Sequence, residues 1–150
     1  MLNLEVYSQQ NDGNYKSFLF STGISYQRTF TGEINLMYRG IEDSGMAGWA
    51  TYGPRLGVEF NFNRDNFIFA PKIGYEVNLI IFATRLSLIN YLSNGKSDIR
   101  LLPEIGITLF GWVDLTYGYS LSFSENSINS LANNRITLSI NFDRKLYQKQ

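Results

Sequence analysis

Apolar and polar residues alternate from residue 17 almost to the C-terminus, and this alternation constrains the fold more than any other feature. A period of two places successive side chains on opposite faces of an extended strand, and a helical period is nowhere sustained. Between turn-forming segments, the pattern predicts eight strands, over residues 17–28, 32–41, 50–63, 66–78, 81–92, 98–109, 112–123 and 134–142. Strands of this length exceed those usual in soluble domains and suit a tilted crossing of a bilayer.

The two faces of the predicted strands differ in charge. One face is apolar, carries no charged residue and includes the aromatic side chains of Phe18, Phe20, Tyr26, Phe60, Phe62, Phe67, Phe69, Tyr75, Phe82, Tyr117, Tyr119, Phe123 and Phe142. The opposite face carries small residues and the charged residues Glu33, Arg39, Arg55, Glu59, Lys72, Glu76, Arg85, Arg100, Glu104, Asp114 and Arg135. Such a two-faced sheet is able to close into a barrel with either face inside.

Volume favours the polar face as the inner one. An eight-stranded barrel has an interior only wide enough for ordinary side chains, and the many rings of the apolar face would not fit there. Glycines on the polar face make room for Arg and Glu side chains that meet across a narrow lumen. We therefore expect an all-β, antiparallel, up-and-down transmembrane β-barrel of about eight strands, with aromatic residues facing lipid. A soluble, lipocalin-like binding barrel is an alternative.

Segments rich in Gly, Asn, Asp and Ser separate the strands, as at residues 63–66 and 93–96, and suit hairpin connections. If the chain starts on the periplasmic side, the expected outer loops have about four, four, six and ten residues, and two of the three inner turns have about two. Short periplasmic turns of this kind are typical of outer-membrane barrels.

The 150 residues are expected to form one domain. Residues 2–8 also alternate, and they form a ninth candidate segment. Because bacterial single-chain barrels close with an even number of strands, residues 1–16 are assigned to an N-terminal arm or partial strand, with ten strands as the alternative. Residues 143–150 are assigned to a C-terminal tail. The first residues do not form a signal peptide, so a barrel of the outer membrane is expected here in a mature or trimmed form.

The composition argues against several classes of function. Cysteine and histidine are both absent, which removes thiolate chemistry, the commonest general base and the commonest metal ligands. The 13 basic residues balance the 13 acidic ones, so no net field steers nucleic acid toward the surface. We expect no enzymatic activity, no catalytic residues, no cofactor, no bound metal and no nucleic-acid partner.

The inward charges are nearly balanced in sign. An unpaired charge in a desolvated lumen costs several kcal/mol, so the favoured interpretation is a salt-bridged plug that holds the shape of the barrel. A narrow polar path, or a binding site for an ion or small solute, is the alternative.

The three prolines all occur in one frame, as Pro-Arg-Leu-Gly at 54–57, Pro-Lys-Ile-Gly at 71–74 and Pro-Glu-Ile-Gly at 103–106. Each proline is expected on the outer face and removes one hydrogen-bond donor from a long strand. Local bending that helps to close a small barrel is the favoured interpretation, and a weak seam for lateral entry of an apolar ligand is the alternative.

Several segments resemble small outer-membrane barrels of Bacteroidota: Ile-Ser-Tyr at 24–26, Gly-Pro-Arg-Leu-Gly-Val-Glu-Phe at 53–60, Pro-Lys-Ile-Gly-Tyr at 71–75 and Leu-Pro-Glu-Ile-Gly at 102–106. The similarity covers most of residues 17–142. The last strand, residues 135–142, resembles the aromatic-ended signal read by the outer-membrane assembly machinery, and the tail departs from that pattern. The resemblance implies a location in a bacterial outer membrane. It does not choose among structural barrels, pores, adhesins and lipid-modifying enzymes.

The function expected from the sequence is a structural or accessory role in the outer membrane, including that of a subunit in a larger outer-membrane complex. A small pore or apolar-ligand conduit is a second hypothesis. Membrane lipid is the expected partner, and other outer-membrane proteins are candidate partners.

Overall fold

The computed structural model describes residues 14–43, 49–61, 67–109, 111–125, 127–128 and 131–143. Within these ranges the chain forms nine β-strands: β1 (Asn14–Gln27), β2 (Thr29–Asp43), β3 (Trp49–Asn61), β4 (Ile68–Leu79), β5 (Phe82–Ser93), β6 (Lys96–Leu109), β7 (Val113–Tyr119), β8 (Leu121–Ser122) and β9 (Asn134–Asp143). The all-β prediction is confirmed. Each predicted strand overlaps an observed one, and the seventh is divided into β7 and β8.

Antiparallel pairing closes these strands into a ring. Each strand from β1 to β6 pairs with the next, and β9 pairs with both β7 and β1. The short β8 pairs with β6 in the same register as β7, so β7 and β8 act as one interrupted strand. The prediction of an eight-stranded antiparallel barrel is therefore confirmed. Residues 2–8, on which the ten-stranded alternative depends, lie outside the described residues.

The two rims of the barrel are named here by the connections they carry. End A holds the start of β1, the end of β9, the β2–β3 connection and the β4–β5 and β6–β7 turns. End B holds the β1–β2 and β5–β6 turns, the β3–β4 connection and the segment between β8 and β9.

Two of the predicted outer loops, both at end B, are wrong in length. A single residue, Arg28, joins β1 to β2, and the two residues Asn94 and Gly95 join β5 to β6. Asn94 and Gly95 both have positive φ, at 48° and 75°, which suits a two-residue Asn-Gly hairpin. The loops were predicted too long because strand pairing continues through polar residues beyond the last apolar position, for example from Thr29 and Lys96.

Each of the three prolines lies opposite a gap in one ladder of backbone hydrogen bonds. Pro54 lies at a gap between β2 and β3, Pro71 at a gap between β4 and β5, and Pro103 at the break between β7 and β8. The reason is that proline has no N–H to donate to the neighbouring strand. All three prolines face outward, and each is followed by a buried charged residue.

The polar face of the sheet is inside the barrel. Phe20 and Tyr119 are exposed on the outer surface and Phe60 is half-buried there, whereas Arg55 and Glu104 are buried. Buried and exposed side chains alternate along each strand because successive side chains lie on opposite faces of the sheet. The lumen is the core of the protein, and charged and polar side chains fill its central part.

Candidate functional site

The charged residues predicted for the lumen are all buried there. They are Glu33, Arg39, Arg55, Glu59, Lys72, Glu76, Arg85, Arg100, Glu104, Asp114 and Arg135. Asp98, which the sequence analysis did not place in the lumen, is buried as well. The structure connects most of these side chains by direct ion pairs.

Glu33 on β2 is the centre of the network. Its carboxylate accepts hydrogen bonds from Lys72 Nζ at 2.6 Å, Arg135 Nη2 at 2.8 Å and Arg55 Nη2 at 3.2 Å. The side chains of Glu33 and Arg135 have exposed fractions of 1% and 0%, so their attraction is not screened by water. Glu33 therefore links strands β2, β3, β4 and β9 across the axis of the barrel.

Glu59 on β3 is a second carboxylate that shares two of these cations. It accepts from Lys72 Nζ at 2.9 Å and from Arg135 Nη1 at 2.7 Å. The buried Tyr91 hydroxyl also donates to Glu59, at 3.2 Å. Because Lys72 and Arg135 each bridge Glu33 and Glu59, four charges form a compact neutral group near the centre of the lumen.

The network continues toward end A through Glu76 and Asp114. Arg55 Nη1 donates to Glu76 Oε2 at 2.6 Å. Arg85 Nε lies 2.7 Å from the same oxygen, but the N–H does not point along a hydrogen bond, so this contact is an ion pair. Arg85 Nη2 then donates to Asp114 Oδ2 at 2.5 Å. Every neighbouring pair along this path has opposite charge.

Glu104 contacts the network through hydroxyl groups. Its Oε1 accepts from Thr116 Oγ1 and from Thr137 Oγ1, both at 3.1 Å. Opposite, Gly118 leaves the space that the Glu104 side chain occupies, because a methyl group at Gly118 would lie 2.7 Å from Glu104 Cγ. The expectation that glycines make room for long inward side chains applies at this position.

Asp98 forms a separate charged pair at end B with Arg100, two residues along β6. Its Oδ2 accepts from Arg100 Nε at 2.9 Å and Nη2 at 2.8 Å. Ser122 Oγ donates to Oδ1 at 2.6 Å, and the backbone N–H of Ile128 donates to Oδ2 at 3.0 Å. The alternation places Asp98 on the same face as Arg100, so the sequence did indicate an inward side chain. The sequence analysis overlooked it because Asp98 is the first residue of a predicted strand.

An apolar cluster closes the lumen at end B. It consists of Ile68, Ala70, Ile89, Tyr91, Leu102 and Leu131, with Ile128 packed against it. Leu131 comes from the segment between β8 and β9, which therefore folds inward over the barrel mouth. The alternation pattern did not predict this contact, because Leu131 lies outside every predicted strand.

The predicted lipid-facing aromatic residues lie on the outer surface wherever the structure describes them. Phe62 lies outside the described residues. The others are Phe18, Phe20, Tyr26, Phe60, Phe67, Phe69, Tyr75, Phe82, Tyr117, Tyr119, Phe123 and Phe142, all exposed except the half-buried Phe60. The sequence analysis missed Phe30, which is exposed at the start of β2.

Most of the exposed rings lie in two bands, one near each end of the barrel, whereas Tyr75 and Tyr117 lie between them, opposite Leu86 and Ile105. The band near end A includes Phe18, Phe20, Tyr38, Tyr52, Phe82 and Phe142, and the band near end B includes Tyr26, Phe30, Phe60, Phe67, Phe69 and Tyr119. Rings contact each other within the bands, with centroids 5.0 Å apart for Phe18 and Tyr38 and 5.1 Å apart for Tyr26 and Phe30. Between the bands the surface is mainly aliphatic, with Ile34, Leu36, Leu56, Ile73, Leu86, Ile105, Leu115 and Leu138 exposed.

The fold and these two surfaces define a closed antiparallel β-barrel with an ion-paired interior and an apolar exterior. In the part of the chain that the structure describes, no helix is both long and apolar enough to cross a membrane. Among the same residues, no three Asp or Glu side chains are grouped as a metal site would require. Neither the known protein-family models nor the curated proteins include a match to the chain.

Replacing the central carboxylate should destabilise the barrel strongly. In Glu33→Gln, Lys72, Arg55 and Arg135 lose a shared anion in a desolvated lumen, and we expect a loss of about 3–5 kcal/mol in unfolding free energy. Urea unfolding of the refolded protein in detergent micelles measures this loss. Glu42→Gln, which alters an exposed carboxylate of the same strand, is the matched control and should change stability by less than about 0.5 kcal/mol. If the two variants were equally stable, the ion pairs of Glu33 would not contribute to the stability of the barrel.

Asp98 should hold the segment between β8 and β9 against the barrel mouth. In Asp98→Asn the Arg100 guanidinium loses its anionic partner and the Ile128 N–H loses a charged acceptor, a cost of about 1–3 kcal/mol. We expect faster amide hydrogen exchange at Ile128 with little change at Glu33. Glu125→Gln, which alters an exposed carboxylate of the same segment, is the control and should leave the exchange rate at Ile128 unchanged. If Ile128 exchanged at the native rate in Asp98→Asn as well, Asp98 would not anchor the segment.

Proposed function

We propose that the protein is a non-enzymatic β-barrel of a bacterial outer membrane, with a structural or accessory role and a closed lumen. The observation that carries this proposal is the orientation of the sheet, with ion pairs inside and a largely apolar surface outside. Bilayer hydrocarbon solvates such a surface without cost, whereas water does not. Membrane lipid is accordingly the proposed partner of the outer surface, together with other membrane proteins where the barrel is part of a larger complex.

The size of the exposed apolar surface supports a membrane environment over an aqueous one. Soluble monomers rarely expose contiguous apolar patches of more than a few hundred Å². Here the exposed large apolar side chains extend around every strand from β1 to β9. A soluble binding barrel uses its apolar face to line the ligand cavity, and in this barrel the lumen holds the charges.

The banding of the outer surface gives independent support. Tyrosine, tryptophan and phenylalanine concentrate at the two interfaces of a membrane, and aliphatic residues occupy the hydrocarbon between them. Most of the outer surface has this arrangement, with rings near each end and Leu36, Leu56 and Leu138 in between, and Tyr75 and Tyr117 are the exceptions.

The packed lumen favours a structural or accessory role over a pore. Conduction needs a continuous polar path whose groups bind a passing ion only weakly. Glu33, Glu59 and Glu76 are instead engaged by buried cations at 2.6–2.9 Å. Opening a path would require breaking several of these pairs together, at about 3–5 kcal/mol for each partner removed.

A charge placed on the outer surface should lower the free energy of unfolding by an amount that depends on its depth in the bilayer. Leu138 lies in the middle of β9 and Leu92 near the end-B limit of β5, with similar exposed fractions of 49% and 40%. In lipid vesicles we expect Leu138→Arg to cost about 2–4 kcal/mol and Leu92→Arg about 0–1 kcal/mol. Reversible urea unfolding in phosphatidylcholine vesicles measures both. A small and equal effect of the two substitutions is the result expected of a soluble barrel, and it would overturn the proposal.

The closed lumen predicts an absence of ion conduction. Purified protein inserted into planar lipid bilayers should give no steady single-channel openings, because ion pairs and the end-B cluster fill the lumen. A general porin in the same bilayers is the positive control for insertion and recording. Reproducible openings by the barrel would replace the structural role with that of a small pore.

A further inference from the structure

One half of the rim at end A is apolar up to the tips of its turns. The two-residue turn between β4 and β5 consists of Ile80 and Ile81, flanked by Leu79 and Phe82, and all four side chains are exposed. The adjacent β6–β7 turn adds exposed Leu109 and Trp112. The two turns are in contact, since the N–H of Thr108 donates to the carbonyl of Ile81 at 2.9 Å. These six residues, Leu79, Ile80, Ile81, Phe82, Leu109 and Trp112, are called the apolar rim below.

Among the residues that the structure describes, no other part of either end has this character. Residues 77–84 and 105–113 contain no charged residue, whereas every other connection has a charged residue within it or directly beside it: Arg28, Asp43, Arg64, Lys96 or Glu125. The other half of end A exposes Lys16 and Glu42. A turn in water normally carries Gly, Asn, Asp or Ser, and the β4–β5 turn carries none of them.

The backbone of Ile80 has a conformation that isoleucine rarely adopts. Its φ is 53°, in the left-handed region where a β-branched side chain crowds the backbone. Asn94, at the corresponding two-residue turn of end B, has φ of 48° and is a residue that tolerates this region. An isoleucine with an exposed fraction of 61% therefore occupies a position where asparagine or glycine would be unstrained, and its side chain is expected to have a favourable apolar contact there.

Backbone polar groups of the β6–β7 turn are paired within the barrel. Gly111 N–H donates to Thr108 Oγ1 at 3.1 Å, and Asn141 Nδ2 donates to the Gly111 carbonyl at 3.0 Å. Trp112 N–H donates to the Leu109 carbonyl at 3.0 Å, and Asn141 N–H donates to the Trp112 carbonyl at 2.7 Å. Turns in water do not need such pairing, whereas backbone in hydrocarbon must be satisfied internally.

We propose that the apolar rim lies at the depth of the lipid acyl chains and that the barrel leans toward this side, with the charged half of end A at the aqueous surface. This inference rests on the proposed membrane location. The rim continues the apolar outer surface through Phe82 and Leu109 without a polar boundary. Lipid is favoured over a protein partner because none of the six rim side chains is charged and the backbone groups of the β6–β7 turn are already paired within the barrel.

Fluorescence quenching by brominated lipids tests the depth of the rim. The chain has two tryptophans, so Trp49→Phe leaves Trp112 as a native probe in the full-length protein. Two reference proteins carry a single tryptophan in the Trp49→Phe, Trp112→Phe background: Leu138→Trp in the middle of the aliphatic surface, and Asn94→Trp in the polar end-B turn. The vesicles contain phosphatidylcholine brominated on its acyl chains, and acrylamide in the buffer reports access from water.

We expect Trp112 to be quenched by acyl-chain bromine much as Leu138→Trp is, and to be protected from acrylamide, whereas Asn94→Trp shows the reverse. If Trp112 behaves like Asn94→Trp while Leu138→Trp is quenched by bromine, the rim is in water and available to a protein partner, so the inference fails while the membrane proposal stands. If Leu138→Trp is itself insensitive to bromine, the membrane proposal fails, and the inference fails with it.

A substitution at Ile80 gives a second test, which depends on whether the urea midpoint of unfolding rises or falls. Ile80→Asn relieves the backbone strain and adds a polar group. In a turn exposed to water this variant should unfold at a higher urea concentration than the native protein. In a turn surrounded by acyl chains it should unfold at a lower one, and we expect the lower midpoint in vesicles. A higher midpoint in vesicles would overturn the inference.

Discussion

Burial of charge in a narrow lumen is the constraint on which the rest of the structure depends. Glu33 and Arg135 are almost completely excluded from water, and a charge in that position is tolerated only when oppositely charged groups surround it. Glu33 meets Lys72, Arg55 and Arg135, which come from three other strands. The pairs therefore link β2 both to its neighbour β3 and to β4 and β9, each of which lies two positions away in the ring. They favour this closed arrangement because removing β3, β4 or β9 from the ring would separate a buried cation from Glu33.

The inner network and the outer surface are consequences of one alternation. When Arg55 points inward, Pro54 and Leu56 must point outward, since neighbouring side chains leave opposite faces of a strand. Filling the lumen with charges thus exposes an apolar residue at nearly every other position. The outer surface of such a barrel needs an apolar environment, whereas that of a soluble protein needs water. The proposed membrane location and the proposed immersion of the rim at Ile80 both provide that environment.

Most of the fold was predictable, because the alternation is a local property that repeats in every strand. It predicted the eight strands and the faces of residues such as Phe20 and Arg55. It failed where local and tertiary effects compete. Asp98 was overlooked at a strand boundary, the β1–β2 and β5–β6 loops were predicted too long, and the inward fold of Leu131 was not expected. These errors concern how far strand pairing extends and which residues cover the barrel mouth. The alternation of apolar and polar residues specifies neither.

The sequence by itself determined that the chain forms long two-faced strands, which residues share a face, and that the inward charges nearly cancel. Only the tertiary structure decided which charges pair. Glu33 and Arg135 are separated by 102 positions along the chain and meet because β1 joins β2 to β9 and closes the ring. The physical reason is that side-chain direction follows from local backbone geometry, whereas the neighbour of a buried charge is selected by strand register and ring closure, which involve the whole chain at once.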